Sequence, residues 1–288
     1  MTINQDIRVV GLDLDGTLLR DDKTISEYTR TILSAAIERG IYILPATGRT
    51  RTAVPECVRS IEGIQYGVCS NGAAVVDLET GEEFYSCKLS LEEACQLMER
   101  IESYHTMYDC YIEGQGYTER RFFEELDYYQ VEPKIQEMIR QTRNPVDNLL
   151  EEVKKMGHPV EKINMFFRKP EDRQKALEEL STLPFVKVTS SLTNNLEINT
   201  AACNKGAALL GFAQKKGFTR EQVMCCGDGN NDFDMIRMSG VGVAMMNGES
   251  QIKEIADYIT YTNEEDGAAR AIKRLCMRLR DLNEEKMA

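Results

Sequence analysis

The stretch Val9-Val10-Gly11-Leu12-Asp13-Leu14-Asp15-Gly16-Thr17 places two carboxylates, two residues apart, at the end of an apolar run. Residues 7–14 are predicted to form a buried strand, because the run is short, rich in β-branched residues and stopped by Gly16. Residues two apart on a strand point to the same side, so Asp13 and Asp15 should face one small volume. Two like charges in one volume repel, and we therefore expect a metal cation, a shared proton or an electrophile beside them.

The composition narrows the class of protein. The chain has 288 residues, enough for one large domain or two of ordinary size, and 42% of them are hydrophobic, which indicates a packed core. A net charge of −12 argues against nucleic-acid and anionic-membrane partners, because both need a basic surface. No run approaches the roughly 20 apolar residues of a membrane span. We expect a small-molecule substrate as the partner, and the sequence leaves open whether the protein is a monomer or a small homo-oligomer.

Cysteine and histidine usage bears on location and metal chemistry. Nine cysteines occur without a paired spacing, and the N-terminal residues show no basic leader followed by an apolar stretch. Both observations favour reduced thiols and a cytoplasmic location. His105 and His158 have no nearby cysteine partner, which argues against a zinc site.

Strand and helix patterns alternate in the first and last parts of the chain. Alternation over 1–85 and again over 192–288 predicts βαβ units on a parallel sheet. Residues 86–191 have α+β patterning and no cluster of catalytic residue types. The simplest architecture is an α/β fold with a doubly wound core of 1–85 and 192–288, interrupted by an inserted domain, 86–191. The main predicted core elements are strands over 7–14, 41–44, 66–69, 196–198, 222–226, 241–244 and 258–260, a hairpin over 73–87, and helices over 26–39, 50–61, 204–217, 232–238, 249–256 and 265–280.

Four segments of the predicted core end abruptly in polar turns. The carboxyl ends of parallel strands meet at one edge of a sheet, so we expect these turns to converge. The turns are Asp13-Leu14-Asp15, Thr47-Gly48-Arg49, Asn204-Lys205-Gly206 and Gly227-Asp228-Gly229-Asn230-Asn231-Asp232.

The residue types in these turns suit phosphoryl transfer. A phosphorylated substrate brings about two negative charges to a site rich in carboxylates, so a hard divalent cation such as Mg²⁺ is needed between them. Asp13 and Asp228 are the natural ligands of that cation. One member of the Asp13/Asp15 pair can attack phosphorus to form an aspartyl-phosphate. The other can protonate the leaving oxygen and later deprotonate the attacking water.

Three further side chains fit the same chemistry. Thr47 offers a hydroxyl and a backbone N–H to the phosphate, and Lys205 offers a point charge for developing negative charge. Asp232 can ligate the metal, directly or through water, or orient Lys205. Each of these residues could also have a purely structural role. Threonine often caps a helix, a lysine at a helix start is usually solvated, and Asp232 could belong to an ordinary Asn/Asp/Gly turn.

The four turns match, in order, the four motifs of the haloacid dehalogenase-like hydrolases, and the chain most resembles the Cof-type, class IIB phosphatases. The resemblance covers both halves of the predicted core, whereas in the middle third it rests on the insert position and the α+β pattern. Further matching pieces are Ser70-Asn71-Gly72-Ala73, Leu196-Glu197-Ile198, Met235-Ile236, Gly242-Val243-Ala244-Met245 and Asn263-Glu264-Glu265-Asp266-Gly267-Ala268.

This resemblance implies a Rossmann-like core with a mobile α+β cap inserted after the third core strand, and Mg²⁺-dependent phosphate ester hydrolysis through an aspartyl-phosphate. It implies that Asp13 is the nucleophile and Asp15 the general acid/base. It also implies that Asp13, the backbone carbonyl of Asp15 and Asp228 hold Mg²⁺, with Asp232 in support. The phosphate-binding residues that it implies are Thr47, Gly48, Lys205 and Asn231.

The resemblance also bears on the substrate. Family members that displace halide lack the second aspartate, so Asp15 favours phosphate esters, whose leaving oxygen needs a proton. Small phosphorylated metabolites are implied, such as sugar phosphates or phosphorylated cofactors, with the cap selecting the leaving group. Two stretches depart from the usual pattern without removing a catalytic group: Ala202-Cys203-Asn204 and Met246-Asn247-Gly248.

Other functions remain open at this point. A phosphomutase, which moves phosphate between positions of one sugar, would form the same intermediate, so the motifs do not separate it from a hydrolase. A receiver-like phosphoacceptor also uses an aspartate, an acidic pair, a threonine and a lysine, but it is shorter and has no large insert. A metabolite-binding regulatory protein without catalysis is a further alternative, although every polar group that the chemistry needs is present.

Overall fold

The computed structural model describes residues 6–277, which form two compact units. The strands, in chain order, are β1 (Val9–Leu12), β2 (Tyr42–Pro45), β3 (Tyr66–Cys69), β4 (Ala74–Asp77), β5 (Glu83–Ser86), β6 (Thr106–Ile112), β7 (Gln115–Glu119), β8 (Arg143–Val146), β9 (Lys162–Phe167), β10 (Val186–Thr189), β11 (Asn195–Thr200), β12 (Val223–Gly227), β13 (Val241–Ala244) and β14 (Tyr258–Ile259). The helices are α1 (Glu27–Glu38), α2 (Glu56–Arg59), α3 (Leu91–Ile101), α4 (Arg120–Glu124), α5 (Pro133–Thr142), α6 (Leu149–Met156), α7 (Pro170–Leu180), α8 (Lys205–Lys215), α9 (Phe233–Met238), α10 (Ser250–Ile255) and α11 (Gly267–Leu275).

The first unit comprises the described residues 6–47, 54–85 and 204–277. Its main sheet has the strand order β14-β13-β12-β1-β2, with every neighbouring pair parallel. β1 and β12 lie side by side, with Leu12 opposite Cys226. Since parallel strands end at the same edge, the residues that follow these two strands leave the sheet next to one another. The predicted parallel core sheet is confirmed, but the predicted core strand over 66–69 (β3) lies in a separate sheet, where it pairs antiparallel with β4.

Different helices cover the two faces of this sheet. Val10 belongs to a buried cluster that includes Leu33 of α1 and Ile272 of α11. Val9 points to the opposite face and belongs to a second buried cluster with Leu209 of α8. Strand β1 is thus apolar throughout because it is buried on both faces, as is usual for a parallel sheet between helices. The same unit contains a smaller sheet in the order β3-β4-β5, which includes the predicted hairpin.

The second unit comprises Gly48–Ala53 and Ser86–Cys203. Its sheet has the order β10-β11-β9-β6-β7-β8, in which β7 and β8 are parallel and the other pairs are antiparallel. The buried apolar residues of this sheet form one cluster with helices α3, α6 and α7, through residues such as Leu97, Val153 and Ala176. This α+β insertion therefore has its own hydrophobic core.

One predicted core strand belongs to the second unit. Leu196-Glu197-Ile198, placed with the core half of the sequence, lies in β11, which pairs antiparallel with β9 and β10. The prediction was wrong because a short apolar strand does not reveal which sheet completes its hydrogen bonds.

Two predicted helices have different bounds. The helix expected over 50–61 is a 3₁₀ turn (Arg51–Ala53) followed by α2, because Pro55 lacks an N–H and disfavours helical backbone in the residue before it. The helix expected over 265–280 is a 3₁₀ turn (Asn263–Glu265) followed by α11, and positions 278–280 lie outside the described residues. Within the described part of the chain, no helix combines the length and apolarity needed to cross a bilayer.

Candidate active site

The first two aspartates lie in the turn beyond β1, not in the strand itself. Asp13 is buried, and its N–H donates to the carbonyl of Cys226 at 3.0 Å, which keeps it beside β12. Asp15 has 43% of its side chain exposed, and its Oδ1 accepts from Lys23 Nζ at 2.7 Å. Strand alternation therefore does not govern this pair, because β1 ends at Leu12. The Asp13 carboxylate is therefore buried, whereas the Asp15 carboxylate is partly exposed to solvent.

A buried lysine joins two of the predicted carboxylates. Lys205 is the first residue of α8, which Asn204 caps by accepting the N–H of Ala207 at 2.7 Å. Its Nζ, which is fully buried, donates to Asp13 Oδ1 at 2.5 Å and to Asp232 Oδ1 at 2.7 Å. Burial alone would lower the pKa of Lys205, but the two carboxylates outweigh it and raise that pKa above its ordinary value. The ammonium therefore stays charged.

Asp232 organises the turn that carries Asp228. Its Oδ2 accepts the backbone N–H groups of Asp228 at 3.0 Å and Gly229 at 3.1 Å, while its Oδ1 is bound to Lys205. A Cβ atom on Gly227 would lie 2.6 Å from Asp232 Cβ, so the turn needs glycine there. Both carboxylate oxygens of Asp232 thus hold other groups of the site in place.

Asp228 packs against the loop that follows Asp15. Thr17 Oγ1 donates to Asp228 Oδ1 at 2.8 Å. Gly16 has a φ of +84°, and a Cβ atom on it would lie 2.4 Å from Asp228 Oδ2, so only glycine fits both the backbone and the space. Burial, followed by the charge of Asp232, raises the pKa of Asp228 to about 6. Its negative charge is therefore costly in the absence of a compensating cation.

The donor set fits a hard divalent cation. Asp13, Asp228 and Asp232 each offer an oxygen, and these oxygens all lie within 4.8 Å of one another. Burial, followed by the charge of Asp232, also raises the pKa of Asp13 well above its ordinary value. Three carboxylates share one lysine, which leaves an excess of negative charge that a cation would relieve. An all-oxygen set is what Mg²⁺ or Ca²⁺ prefers, and it does not suit zinc.

Three other residues, Thr47, Gly48 and Asn231, were predicted to bind phosphate. Thr47 is buried, two residues beyond β2. Gly48 groups with the second unit, where its carbonyl accepts from Lys162 Nζ at 2.7 Å. Asn231 is half-buried in the same turn as Asp232. Their role in binding phosphate stays a prediction.

Sequence reasoning missed two residues that touch the predicted carboxylates. Thr17 follows Asp13 and Asp15 in the first polar turn. Because this turn was expected to meet the turn of Asp228, a hydrogen bond from the Thr17 hydroxyl to Asp228 could have been predicted. Lys23 left no signal, because a lysine in a polar turn is usually solvated. Its φ of +65° shows an uncommon left-handed backbone at the position that pairs with Asp15.

Comparison with known proteins places the chain in a family. A family model described as haloacid dehalogenase-like hydrolase matches residues 10–272. The 5-amino-6-(5-phospho-D-ribitylamino)uracil phosphatase YcsE of Bacillus subtilis is 32% identical over 268 residues, which cover 93% of this chain and 95% of that protein. The putative phosphatase YxeH of the same organism is 28% identical over 277 residues, which cover 94% and 98%.

Solved structures give the same result. A haloacid dehalogenase-like hydrolase from Bacteroides thetaiotaomicron has a TM-score of 0.77 and 30% identity, covering 93% of this chain and 99% of that one. The subclass IIB sugar phosphatase BT4131 shares the fold, with a TM-score of 0.77 and 22% identity over 94% and 100% of the two chains. The family model and the relative that is 32% identical show that the chain belongs to the haloacid dehalogenase-like hydrolases. The family and the α/β core with an inserted α+β cap, both predicted from the sequence, are confirmed.

Proposed function

We propose that this protein hydrolyses phosphate monoesters of small metabolites through an aspartyl-phosphate formed on Asp13. The observation that carries the proposal is the buried set of Asp13, Lys205 and Asp232 with Asp228 beside it. A carboxylate held by a buried ammonium, at a site suited to a divalent cation, is oriented for attack on an anionic phosphate.

Asp13, Asp228 and the backbone carbonyl of Asp15 would hold Mg²⁺, with Asp232 in support. When bound, the cation would neutralise charge on the carboxylates and on the phosphate, so that one anion can approach the other. Lys205 would supply the remaining positive charge, and Thr47, Gly48 and Asn231 would bind the phosphate oxygens.

The chain's own groups account for both half-reactions. In the first, an Asp13 oxygen bonds to phosphorus as the bond to the leaving oxygen breaks, and Asp15 gives its proton to that oxygen. In the second, Asp15 takes a proton from water, the water oxygen bonds to phosphorus, and the bond to Asp13 breaks to release phosphate. The exposure of Asp15 suits this role, because it must exchange protons with both the leaving group and water.

For the substrate, we propose a hydroxyl-rich phosphate ester. Several curated relatives are 5-amino-6-(5-phospho-D-ribitylamino)uracil phosphatases, which by name act on a phosphorylated polyol chain. In this chain β6, β9 and β11 place Asp109, Asn164 and Glu197 opposite one another on a single sheet face. All three are buried, and Lys162 Nζ lies 3.2 Å from Glu197. Asn164 and Glu197 carry polar groups of the kind that bind hydroxyls, whereas the Asp109 carboxylate is already paired with Arg143 at 2.8 Å.

We further propose that the chain consists of a core, predicted over 1–85 and 192–288, and an insertion, predicted over 86–191. The insertion acts as the cap that selects the leaving group. Residues 192–203 belong to the same compact unit as the rest of the insertion, which supports an insertion that ends at residue 203. A cytoplasmic location and the absence of a nucleic-acid partner are proposed from the thiol usage and the net charge of −12.

The proposal is tested with purified protein, Mg²⁺ and a panel of phosphorylated metabolites headed by 5-amino-6-(5-phospho-D-ribitylamino)uracil. We expect free phosphate without an isomeric sugar phosphate, and loss of this activity in Asp13→Asn. The matched control is Asp6→Asn, which removes the same charge from a side chain that is 63% exposed. Full activity in Asp13→Asn would overturn the nucleophile assignment, and an isomeric product would favour the phosphomutase.

A further inference from the structure

The turn Met246-Asn247-Gly248, which departs from the family pattern, touches both halves of the candidate site. Asn247 Nδ2 donates to the carbonyl of Gly16 at 2.8 Å. The N–H of Glu249 donates to the carbonyl of Asp228 at 2.9 Å. A Cβ atom on Gly248 would lie 3.0 Å from both Cα and the carbonyl oxygen of Asp228. This turn therefore spans the distance between the loop of Asp15 and the backbone of a predicted metal ligand.

Asn263 fixes the same loop from its other end. Its backbone N–H donates to Asn247 Oδ1 at 3.1 Å, so one asparagine orients the other. Its Nδ2 donates both to the carbonyl of Leu19 and to Asp21 Oδ1, each at 3.1 Å. Asn263 is buried, and the loop that it holds is closed on itself by a bridge between Asp15 and Leu19.

Asn247 binds the carbonyl of Gly16, and Asn263 binds the carbonyl of Leu19, three residues further along the loop. Gly16 directly follows Asp15, and Leu19 bridges back to it, so the backbone of Asp15 is restrained from two directions. Asp15 has 43% of its side chain exposed and its Oδ1 accepts from Lys23 Nζ at 2.7 Å, so the held backbone is needed to set where this partly exposed side chain starts. A general acid must reach its proton acceptor within hydrogen-bonding distance, and a displacement of about 1 Å can cost on the order of a hundredfold in rate.

We propose that Asn247 and Asn263 are positioning residues, which hold the loop of residues 16–21 so that Asp15 keeps a fixed place relative to Asp228. This inference rests on the proposed function of Asp15 as the general acid/base. The two asparagines act through the backbone of the loop and take no part in the bond changes.

The test compares two phosphate esters under single-turnover conditions with Mg²⁺, following release of the leaving group. An alkyl phosphate needs a proton on its leaving oxygen, whereas 4-nitrophenyl phosphate does not. In Asn247→Ala and Asn263→Ala we expect release from the alkyl ester to fall at least about tenfold more than release from the aryl ester. Asn247→Asp removes the donor to Gly16 while keeping an acceptor for Asn263, and we expect the same selective loss.

The matched control is Glu265→Ala. Glu265 accepts from the N–H and hydroxyl of Thr262 in the same turn as Asn263, and its side chain makes no hydrogen bond with residues 16–21 among those described. Equal losses on both esters, or a loss that matches this control, would reduce the asparagines to a structural role and overturn the inference. Asn247 is exposed, so its variants keep the test valid if Asn263→Ala does not fold. Wild-type protein that released neither leaving group would overturn the proposed function itself.

Discussion

Replacing Lys205 by methionine removes the charge that holds Asp13 and Asp232 together. The side chain of methionine is close in length, so the change leaves little cavity, but two buried carboxylates lose their common partner. Breaking a buried ion pair from one side costs about 3–5 kcal/mol in the free energy of unfolding. For a chain of this length that corresponds to a fall of roughly 5–10 °C in Tm.

The pH dependence of this loss has a definite sign. In Lys205→Met, the pKa of Asp13, already raised by burial and by Asp232, loses the lysine contribution that lowers it. A carboxyl whose folded-state pKa lies above its unfolded value destabilises the folded protein at high pH. That destabilisation is relieved as the pH falls through the folded-state pKa. We therefore expect the gap in stability between wild type and variant to be widest around neutral pH, and to narrow on acidification.

Thermal unfolding with and without Mg²⁺ measures this effect. Mg²⁺ should narrow the gap at neutral pH, because the cation takes over part of the compensation. The matched control is Lys216→Met, which removes an ammonium that lies 4.7 Å from the ring centroid of Tyr66 but leaves no buried carboxylate unpaired. If Lys205→Met is no less stable than this control, or if its loss of stability does not shrink on acidification, Lys205 is not the partner that stabilises the two buried carboxylates.

Two further predictions concern the other carboxylates. Within a single turnover, Asp15→Asn should slow leaving-group release from alkyl phosphates by roughly 10²–10⁴-fold and spare release from aryl phosphates, because only the former needs the proton. Equal losses on both in that measurement would contradict its role as the acid. The pKa of Asp228, raised to about 6, predicts that Mg²⁺ affinity falls as the pH drops below 6, since the cation must displace a proton there. Calorimetric titration with Mg²⁺ at pH 5, 6 and 7.5 measures this, and a constant affinity over that range would contradict the assignment.

The parts of the fold that follow from local pattern were readable from the sequence. β1 and β12 are apolar along their whole length because both faces of the sheet are covered, and each ends in a turn of carboxylates. A parallel sheet brings such turns to one edge, so Asp13 and Asp228 could be placed together before any contact was known.

What the sequence did not reveal depends on contacts between distant residues. β11 has a strand pattern, but only its hydrogen bonds with β9 and β10 assign it to the insertion. The separate environments of Asp13 and Asp15 follow from the early end of β1 at Leu12, and strand ends are poorly marked by residue type. The hydrogen bonds of Asn247 and Asn263 to the loop of Asp15 link residues more than 200 positions apart, so no local pattern could show them.

Phosphorylation of Asp13 can be tested on the protein directly. In Asp15→Asn, the aryl ester should still phosphorylate the protein while the water step is slowed, so the intermediate should accumulate. Acid quenching, reduction with borohydride and peptide mass spectrometry would then locate the modified aspartate. We expect reduction to homoserine at position 13, and only when substrate and Mg²⁺ are present. Homoserine at a different aspartate would contradict it.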